Sequence, residues 1–465
     1  MLSAATLLLS GNITVALASL LRAILLARLL TLEDFGIAAT FSIAMNAMTM
    51  AFGFSLGQLA IQARDGAGAR MQAGLQGLQA IIGGVLCVAV LTLAAPYADL
   101  MGTSEVASAY RWLALVPLCV GLVHFDLFRQ QRRNHFGTFA AYTSLPVLVS
   151  LIAIWPLFVA LGDWRVMPAA LIIQAVTALV LSHLRSHRRY RLTFDPTVVR
   201  RGLLFGAPLL GNAALVFAIF TGDRIIVAAA FDPGVLAWFS AAFMLTLMPA
   251  NLALRTLNSL SLPRLSRDAA AGRDPAQAIR ETCRNYALTA ALLAVAITLF
   301  GGPVLRIAFG PAYAQAVPIL TLLAVMQALR CARGAVDVLA LSRARTGIIL
   351  RMSVIRSIVI PLAAFAVLHF ELALPWLIGA GIGGEVAAFL LGLTLLHRRL
   401  ALPMSGAIAP ALGLSVTLLA SMMVTYHPVL AVTPAMRALP ALTLLAALLI
   451  PKLTVGLRPR RGVRP

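Results

Sequence analysis

The sequence predicts an all-α polytopic membrane protein with about fourteen transmembrane helices. Three observations predict this class. First, 61% of the 465 residues are hydrophobic and 11% are charged, whereas a soluble domain has about 25% charged residues. Second, apolar runs of about 18 residues or more, long enough to cross a bilayer, recur along the whole chain. Third, the basic residues form short clusters between these runs, which is typical of orientation signals and argues against nucleic-acid binding despite the net charge of +21.

The apolar runs place the helices in order along the chain. Each run ends at charged residues, glycine or proline, which mark the connections. The predicted helices are 7–30, 36–62, 73–95, 107–128, 138–161, 166–184, 202–230, 235–262, 284–309, 314–341, 350–370, 374–396, 405–427 and 436–456.

We expect two pseudo-symmetric six-helix bundles followed by a C-terminal helix pair. The N-terminal bundle covers 1–184, a basic cytoplasmic linker covers 185–201, and the C-terminal bundle covers 202–396. Helices 13 and 14 form a peripheral pair over 405–456, and a basic cytoplasmic tail covers 457–465.

The distribution of arginine and lysine predicts the orientation. By these spans, the even-numbered connections and the C-terminus hold about 26 basic residues, and the odd-numbered connections hold about one. Because basic connections stay in the cytoplasm, we expect both termini on the cytoplasmic side. The first apolar run has no basic segment before it, so we expect no cleaved signal peptide.

Short matches between the two halves predict an internal repeat. Both halves begin with an outward-going helix, so the repeat is parallel, with its axis along the membrane normal. The matched pairs are Gly11–Asn12 with Gly211–Asn212, Thr31–Phe35 with Phe231–Val235, Phe41–Ser42 with Phe239–Ser240, and Met101–Gly102 with Phe309–Gly310.

The polar residues favour a transporter over an enzyme. The seven histidines are scattered without an HExxH motif, the four cysteines have no CxxC spacing, and there is no GxxxxGK[ST] loop. The outer connections, such as TLEDF and FDPG, are too short for the catalytic loops of a membrane glycosyltransferase or polymerase. We expect no catalytic residue, no cofactor and no metal site.

Two stretches carry a resemblance to a known family. LLARLLTLEDFGIAATFS near the N-terminus and FGPAYAQAVPILTLLA in the second half resemble the oligosaccharide flippases of the multidrug/oligosaccharidyl-lipid/polysaccharide (MOP) exporter superfamily. The branch they resemble contains the Wzx-like polysaccharide biosynthesis proteins. The resemblance implies alternating access and transfer of a polyprenyl-pyrophosphate-linked oligosaccharide across the bacterial inner membrane, for lipopolysaccharide or exopolysaccharide assembly. It also implies three kinds of partner: the lipid-linked oligosaccharide, membrane lipids and other membrane proteins of polysaccharide assembly.

Two relatives of that branch remain alternatives. PANLALRTLNSLSLPRLSR is similar to a segment of the lipid II flippases, but their usual N-terminal arginine-glycine pattern is missing here. A cation-coupled small-molecule exporter of the same fold is the other alternative.

Charged residues inside the predicted helices are the candidate site. A charge at a helix centre costs about 2.5–3.5 kcal/mol, so such a residue faces a cavity or a partner. The resemblance implies a cationic cavity for a pyrophosphate and an acidic glycan, for which arginine offers a planar fork of donors. The candidates are Arg22, Arg28, Asp223, Arg224, Arg255, Arg330, Arg333 and Asp337.

These candidates have competing interpretations. A cavity role is favoured for Arg22 and Arg224, whereas spacing favours an i,i+4 ion pair between Arg333 and Asp337. Snorkelling or interhelical pairing is equally open for Arg28, Arg255 and Arg330. Asp223 could pair with an arginine or bind a coupling cation. Glu385 stands alone in GAGIGGEVAAF, with no role assigned.

Overall fold

The computed structural model describes residues 4–52, 54–270, 275–400 and 405–426, together with Pro440 and Thr443. Within these ranges the chain forms sixteen α-helices and three short 3-10 helices, with no strand. The 3-10 helices are Ser104–Val106, Arg111–Ala114 and Pro311–Ala316. The α-helices are α1 (Ala4–Leu29), α2 (Leu32–Ala51), α3 (Leu56–Gln62), α4 (Ala69–Leu100), α5 (Ala107–Tyr110), α6 (Leu115–Gly121), α7 (Asp126–Arg132), α8 (Gly137–Leu161), α9 (Val166–Leu184), α10 (Pro196–Ala230), α11 (Pro233–Ala270), α12 (Pro275–Phe309), α13 (Val317–Leu341), α14 (Thr346–Phe370), α15 (Leu374–Leu400) and α16 (Ser405–Tyr426).

Long helices with exposed apolar faces confirm the membrane class. Among the described residues, ten helices are long and apolar enough to cross a bilayer, or eleven if one bent pair counts as a span. On α8, Ile152, Trp155 and Val159 share one face and are 74%, 60% and 72% exposed, as expected for side chains that face lipid. The first thirteen predicted helices each have a helical counterpart. The fourteenth, 436–456, and the tail 457–465 lie outside the described residues, apart from Pro440 and Thr443.

Two predicted helices are in fact broken. The span 36–62 divides into α2 and α3, and Ser55, which precedes α3, has a left-handed φ of 50°. The span 107–128 is a chain of short helices that ends at Gly121, and α7 then leaves at an angle of 48°. Apolar periodicity continues across both breaks, so the hydropathy pattern does not reveal them.

Side chains replace the helical hydrogen bonds at the second break. The backbone N–H of His124 donates to Ser182 Oγ at 3.0 Å, and that of Phe125 donates to Gln76 Oε1 at 3.1 Å. The N–H of Asp126 donates to His124 Nδ1 at 3.0 Å. Because these buried N–H groups find partners elsewhere, the helix can stop inside an apolar stretch without leaving orphan donors.

The described contacts divide the chain into two compact units, Met1–Ser240 and Ala241–Pro465. The division falls within α11 and not at the predicted linker 185–201, because α10 packs in the first unit. A Cβ added to Gly206 on α10 would lie 2.5 Å from the Phe54 ring. The linker is also shorter than predicted, since Pro196 already begins α10. The two six-helix bundles stay a prediction.

In the first unit, the even-numbered connections meet at one end. Arg70 Nε lies 2.6 Å from Asp195 Oδ2, and Arg201 Nη1 lies 2.9 Å from Asp65 Oδ1. The hydrogen bonds from Arg70 and Thr197 hold the pKa of the Asp195 carboxyl well below its usual range. These contacts join residues more than a hundred positions apart and gather the basic segments on one side of the unit.

The second unit has an apolar core built by α12–α16 and the end of α11. One cluster includes Tyr286, Val336 and Met352, all with essentially no exposed surface. A second cluster packs Leu414 and Leu418 of α16 against alanines of α12 and α13. The small side chains allow these three helices to approach closely.

Two matched pairs from the predicted repeat have the same local structure. Each inter-helix break is capped by a side chain: Thr31 Oγ1 accepts from the Asp34 N–H at 3.1 Å, and Asp232 Oδ1 accepts from the Val235 N–H at 3.0 Å. Gly102 and Gly310 have positive φ values of 64° and 110°. Each of these glycines is followed by a 3-10 helix, so the halves share structure at these two places.

Candidate functional site

Glu385 of α15 is the centre of a buried ion cluster in the second unit. Its Oε1 accepts from Arg330 Nε at 3.0 Å, and its Oε2 accepts from Arg333 Nε at 3.1 Å. Arg356 Nη2 of α14 lies 2.5 Å from Glu385 Oε1. Arg333 Nη1 also donates to Asp337 Oδ2 at 2.7 Å. The predicted i,i+4 pair is therefore present as part of a larger network that joins three helices.

The cluster carries a net positive charge. Three guanidinium groups face two carboxylates, and arginine stays protonated in proteins. Arg330 and Arg356 are 3% and 7% exposed, and Glu385 is 2% exposed. Buried charges are tolerated when each has a partner, and removing one partner leaves the others uncompensated. In this conformation these arginines are enclosed within their unit and do not present their charges to an open surface.

Arg22 of α1 is bound differently. Its Nη1 donates to Gln174 Oε1 of α9 at 2.7 Å and to Ser150 Oγ of α8 at 3.4 Å. Both partners are neutral, and the side chain is half-buried. Among the described residues, no carboxylate pairs with this guanidinium. An arginine held by neutral groups between apolar helices is a suitable partner for an anion that carries its own charge.

The other candidates are less enclosed or lie elsewhere. Arg28 is exposed at the last turn of α1, and Arg255 is exposed on α11. Asp223 and Arg224 are neighbours on α10 and half-buried. The structure thus brings Arg330, Arg333 and Asp337 together in one cluster in the second unit, whereas Arg22 lies in the first unit.

Two cluster members were not among the predicted site residues. Glu385 is not isolated, because the arginines that bind it come from helices more than 25 positions away in sequence. Arg356 lies inside the predicted helix 350–370, so the signal used for the other candidates, a charge inside an apolar helix, also marks this residue.

A second polar cluster holds the basic end of the first unit. Asp126 has no exposed surface and forms an ion pair with Arg129. It also accepts from Gln130 Nε2 at 3.0 Å and from the His187 N–H at 2.9 Å. These contacts join α7 to the start of the linker.

A family model described as polysaccharide biosynthesis protein matches residues 25–318, which is more than half of the chain. The chain belongs to the polysaccharide biosynthesis protein family. No curated protein matches its sequence. The family match includes Arg28, Asp223, Arg224 and Arg255, while Arg22 and the Glu385 cluster lie outside it.

Solved structures show where the fold of this polysaccharide biosynthesis protein recurs. The lipid II flippase MurJ, in an inward closed conformation, aligns with a TM-score of 0.74 and 12% identity, covering 96% of this chain and 98% of MurJ. An inward-facing multidrug resistance MATE family transporter of the MOP superfamily aligns with a TM-score of 0.65 and 16% identity, covering 83% of this chain and 94% of the transporter. A MOP superfamily transporter from Pyrococcus furiosus aligns with a TM-score of 0.54 and 16% identity, covering 84% of this chain and 93% of that transporter. The protein has the fold of these transporters.

Proposed function

We propose that this polysaccharide biosynthesis protein is a flippase that moves a polyprenyl-pyrophosphate-linked oligosaccharide to the outer leaflet of the bacterial inner membrane. The product would serve surface or exopolysaccharide biosynthesis. One observation carries the proposal: a chain matched by the polysaccharide biosynthesis family model over residues 25–318 has the fold of a lipid II flippase over 96% of its length. A lipid-linked glycan is the substrate class that joins these two facts.

The mechanism we propose is alternating access by two pseudo-symmetric six-helix bundles, with both termini in the cytoplasm and helices 13 and 14 at the periphery. The capped breaks at Thr31 and Asp232 support a repeated design, because each lies at the junction between the first two long helices of its half. Rocking of related halves around a central site is common to transporters built from repeats.

Arg22 is the residue we propose as a first contact for the pyrophosphate. Its guanidinium is half-buried and bound by an amide and a hydroxyl, so a phosphate oxygen can add a charge-assisted hydrogen bond and supply a negative charge. We propose that Arg28, Asp223, Arg224 and Arg255 also contribute to the substrate path. Arg330, Arg333 and Asp337 would reach the substrate only in a state that opens the Glu385 cluster.

Deleting the gene tests the function directly. We expect a polyprenyl-linked oligosaccharide to accumulate on the cytoplasmic leaflet while surface polysaccharide falls. The measurement is lipid-linked glycan extracted from inverted and right-side-out vesicles, with a complemented strain as the control. Loss of surface polysaccharide without any accumulated lipid-linked glycan would contradict the flippase proposal.

The MurJ likeness favours lipid II transport as a second candidate. Expression of this protein in cells depleted of their own lipid II flippase separates the two substrates, because only a lipid II flippase sustains cell-wall synthesis there. A small-molecule exporter, for which the MATE likeness supplies the fold, predicts drug resistance with unchanged glycan export.

A further inference from the structure

A small basic cavity lies at the end of the first unit where the even-numbered connections meet. It has a volume of about 240 Å³ and lies between the first turns of α4 and the linker. Ala69 and Ala73 of α4 line it with small side chains that leave the space open. This volume is many times the roughly 10–15 Å³ of such space that one water molecule needs. That is enough for a phosphate and the atoms attached to it.

Three arginines of the linker give this cavity its charge. Arg188, Arg189 and Arg191 line it, and no carboxylate is among the described residues of its wall. Asp195, which lies farther along the linker, is already paired with Arg70 at 2.6 Å. The cavity is therefore electropositive, with three arginines within four consecutive positions of the linker.

The linker backbone is fixed by hydrogen bonds to α4. Gln76 Nε2 donates to the Arg191 carbonyl at 2.8 Å, and the Thr193 N–H donates to the Ala73 carbonyl at 3.2 Å. Arg188 Nη1 donates to the Ala67 carbonyl at 2.9 Å and to Gln72 Oε1 at 3.1 Å. Arg188 thus serves as a structural anchor, and the cavity is formed before any ligand arrives.

Arg189 and Arg191 are placed to bind a ligand. Tyr190, which stands between them in sequence, lines a different pocket beside His183. Tyr190 packs on one side against the rings of His124 at 5.5 Å and His183 at 4.8 Å. Its two neighbours line the cavity on the other side, where both are exposed.

We infer that this cavity binds a phosphate-bearing anion through Arg189 and Arg191. Paired guanidinium groups match the tetrahedral oxygens of phosphate in geometry and charge. The chemistry has two sources, the headgroup of an anionic phospholipid or a soluble phosphate ester. This inference is independent of the proposed flippase function, because none of the residues proposed for the substrate path lines the cavity.

The experiment compares two double variants with the unmodified protein. Arg189→Gln with Arg191→Gln removes both cavity charges, and Arg343→Gln with Arg345→Gln removes two charges from the α13–α14 connection, which does not line the cavity. Purified proteins are incubated with mixed micelles of phosphatidylglycerol, then with phosphatidylcholine, and retained lipid is measured by native mass spectrometry.

We expect phosphatidylglycerol to be retained and phosphatidylcholine to be lost from the unmodified protein. The cavity variant should bind phosphatidylglycerol about 10- to 100-fold more weakly, since each charge-assisted hydrogen bond contributes about tenfold. The control variant should bind as the unmodified protein does. Glycerol 3-phosphate that displaces the lipid would identify a soluble phosphate ester as a ligand, and failure to displace it would identify the lipid headgroup. Equal loss in both variants, or no loss in the cavity variant, would overturn the inference.

Discussion

Gly36 of α2 lies directly against Pro233, the first residue of α11. A Cβ built on Gly36 would lie 1.9 Å from the Pro233 carbonyl oxygen and 2.5 Å from its carbonyl carbon. Gly36 directly follows the predicted break Thr31–Phe35, and Pro233 lies within its predicted counterpart Phe231–Val235. The two related connections therefore touch through backbone atoms, and only glycine fits at the contact.

The Gly36→Ala variant should be destabilised, because a backbone carbonyl cannot move aside as a flexible side chain can. We expect a loss of about 1–3 kcal/mol, the usual cost of overpacking, seen as a lower midpoint of thermal unfolding in detergent. Gly84→Ala is the matched control, since Gly84 lies in α4 with nothing within 4 Å of its added Cβ. Equal midpoints for the two variants would show that this contact is not tight in solution.

The Glu385→Gln variant should be strongly destabilised. It removes the carboxylate shared by three buried arginines and raises the cluster charge by one. Breaking a buried ion pair in this way costs about 3–5 kcal/mol. The variant Glu371→Gln, at an exposed residue after α14, should leave the yield of folded protein unchanged.

A second substitution tests whether the added positive charge of the cluster causes the loss of stability in Glu385→Gln. Adding Arg356→Met to Glu385→Gln returns the net charge of the cluster to its original value. We expect part of the lost thermal stability and folded yield to return. A double variant no better than Glu385→Gln alone would mean that geometry, and not charge balance, decides stability here.

The Arg22→Ala variant should reduce glycan export by about tenfold or more per folded protein. This is the effect expected from losing one charge-assisted hydrogen bond to the substrate. Gln174→Ala removes the 2.7 Å partner of Arg22 but keeps the charge, so export should change much less. Surface polysaccharide, normalised to folded protein in the membrane, is the measurement. If both variants lose export in proportion to folded protein, Arg22 is a structural residue.

The stability of the linker should depend more on the backbone N–H of His187 than on its side chain. Asp126 accepts from the His187 N–H, while the imidazole is 75% exposed. His187→Ala removes the contact of Nδ1 with Gln130 Nε2 at 3.1 Å and should change the unfolding free energy by less than about 1 kcal/mol. His187→Pro removes the N–H and should cost about 1–3 kcal/mol. Asp126→Ala should cost more, because it also leaves the buried Arg129 unpaired. A different order of thermal midpoints would contradict this account.

The sequence predicted the helices better than their interruptions. Long apolar runs located thirteen helices, of which ten, or eleven with one bent pair, are long and apolar enough to cross a bilayer. The break at 122–125 was missed because it depends on Ser182 and Gln76, which are distant in sequence and supply acceptors for its N–H groups. Likewise, spacing identified the Arg333–Asp337 pair, but a single sequence does not show that Glu385 lies beside Arg330, 55 positions away. Local periodicity identifies single helices, whereas the helix breaks and the contacts between helices depend on residues that are distant in sequence.

The neutral partners of Arg22 have an electrical consequence for the proposed transport cycle. A guanidinium does not lose its proton, so its charge stays with the protein when the substrate leaves. If Arg22 binds the pyrophosphate, whose two phosphoryl groups each carry a negative charge, the loaded site keeps a net negative charge and the empty protein returns with a positive one. One elementary charge moved across 100 mV corresponds to about 2.3 kcal/mol. A membrane voltage that is negative inside would then favour both the outward step of the loaded protein and the inward return of the empty protein.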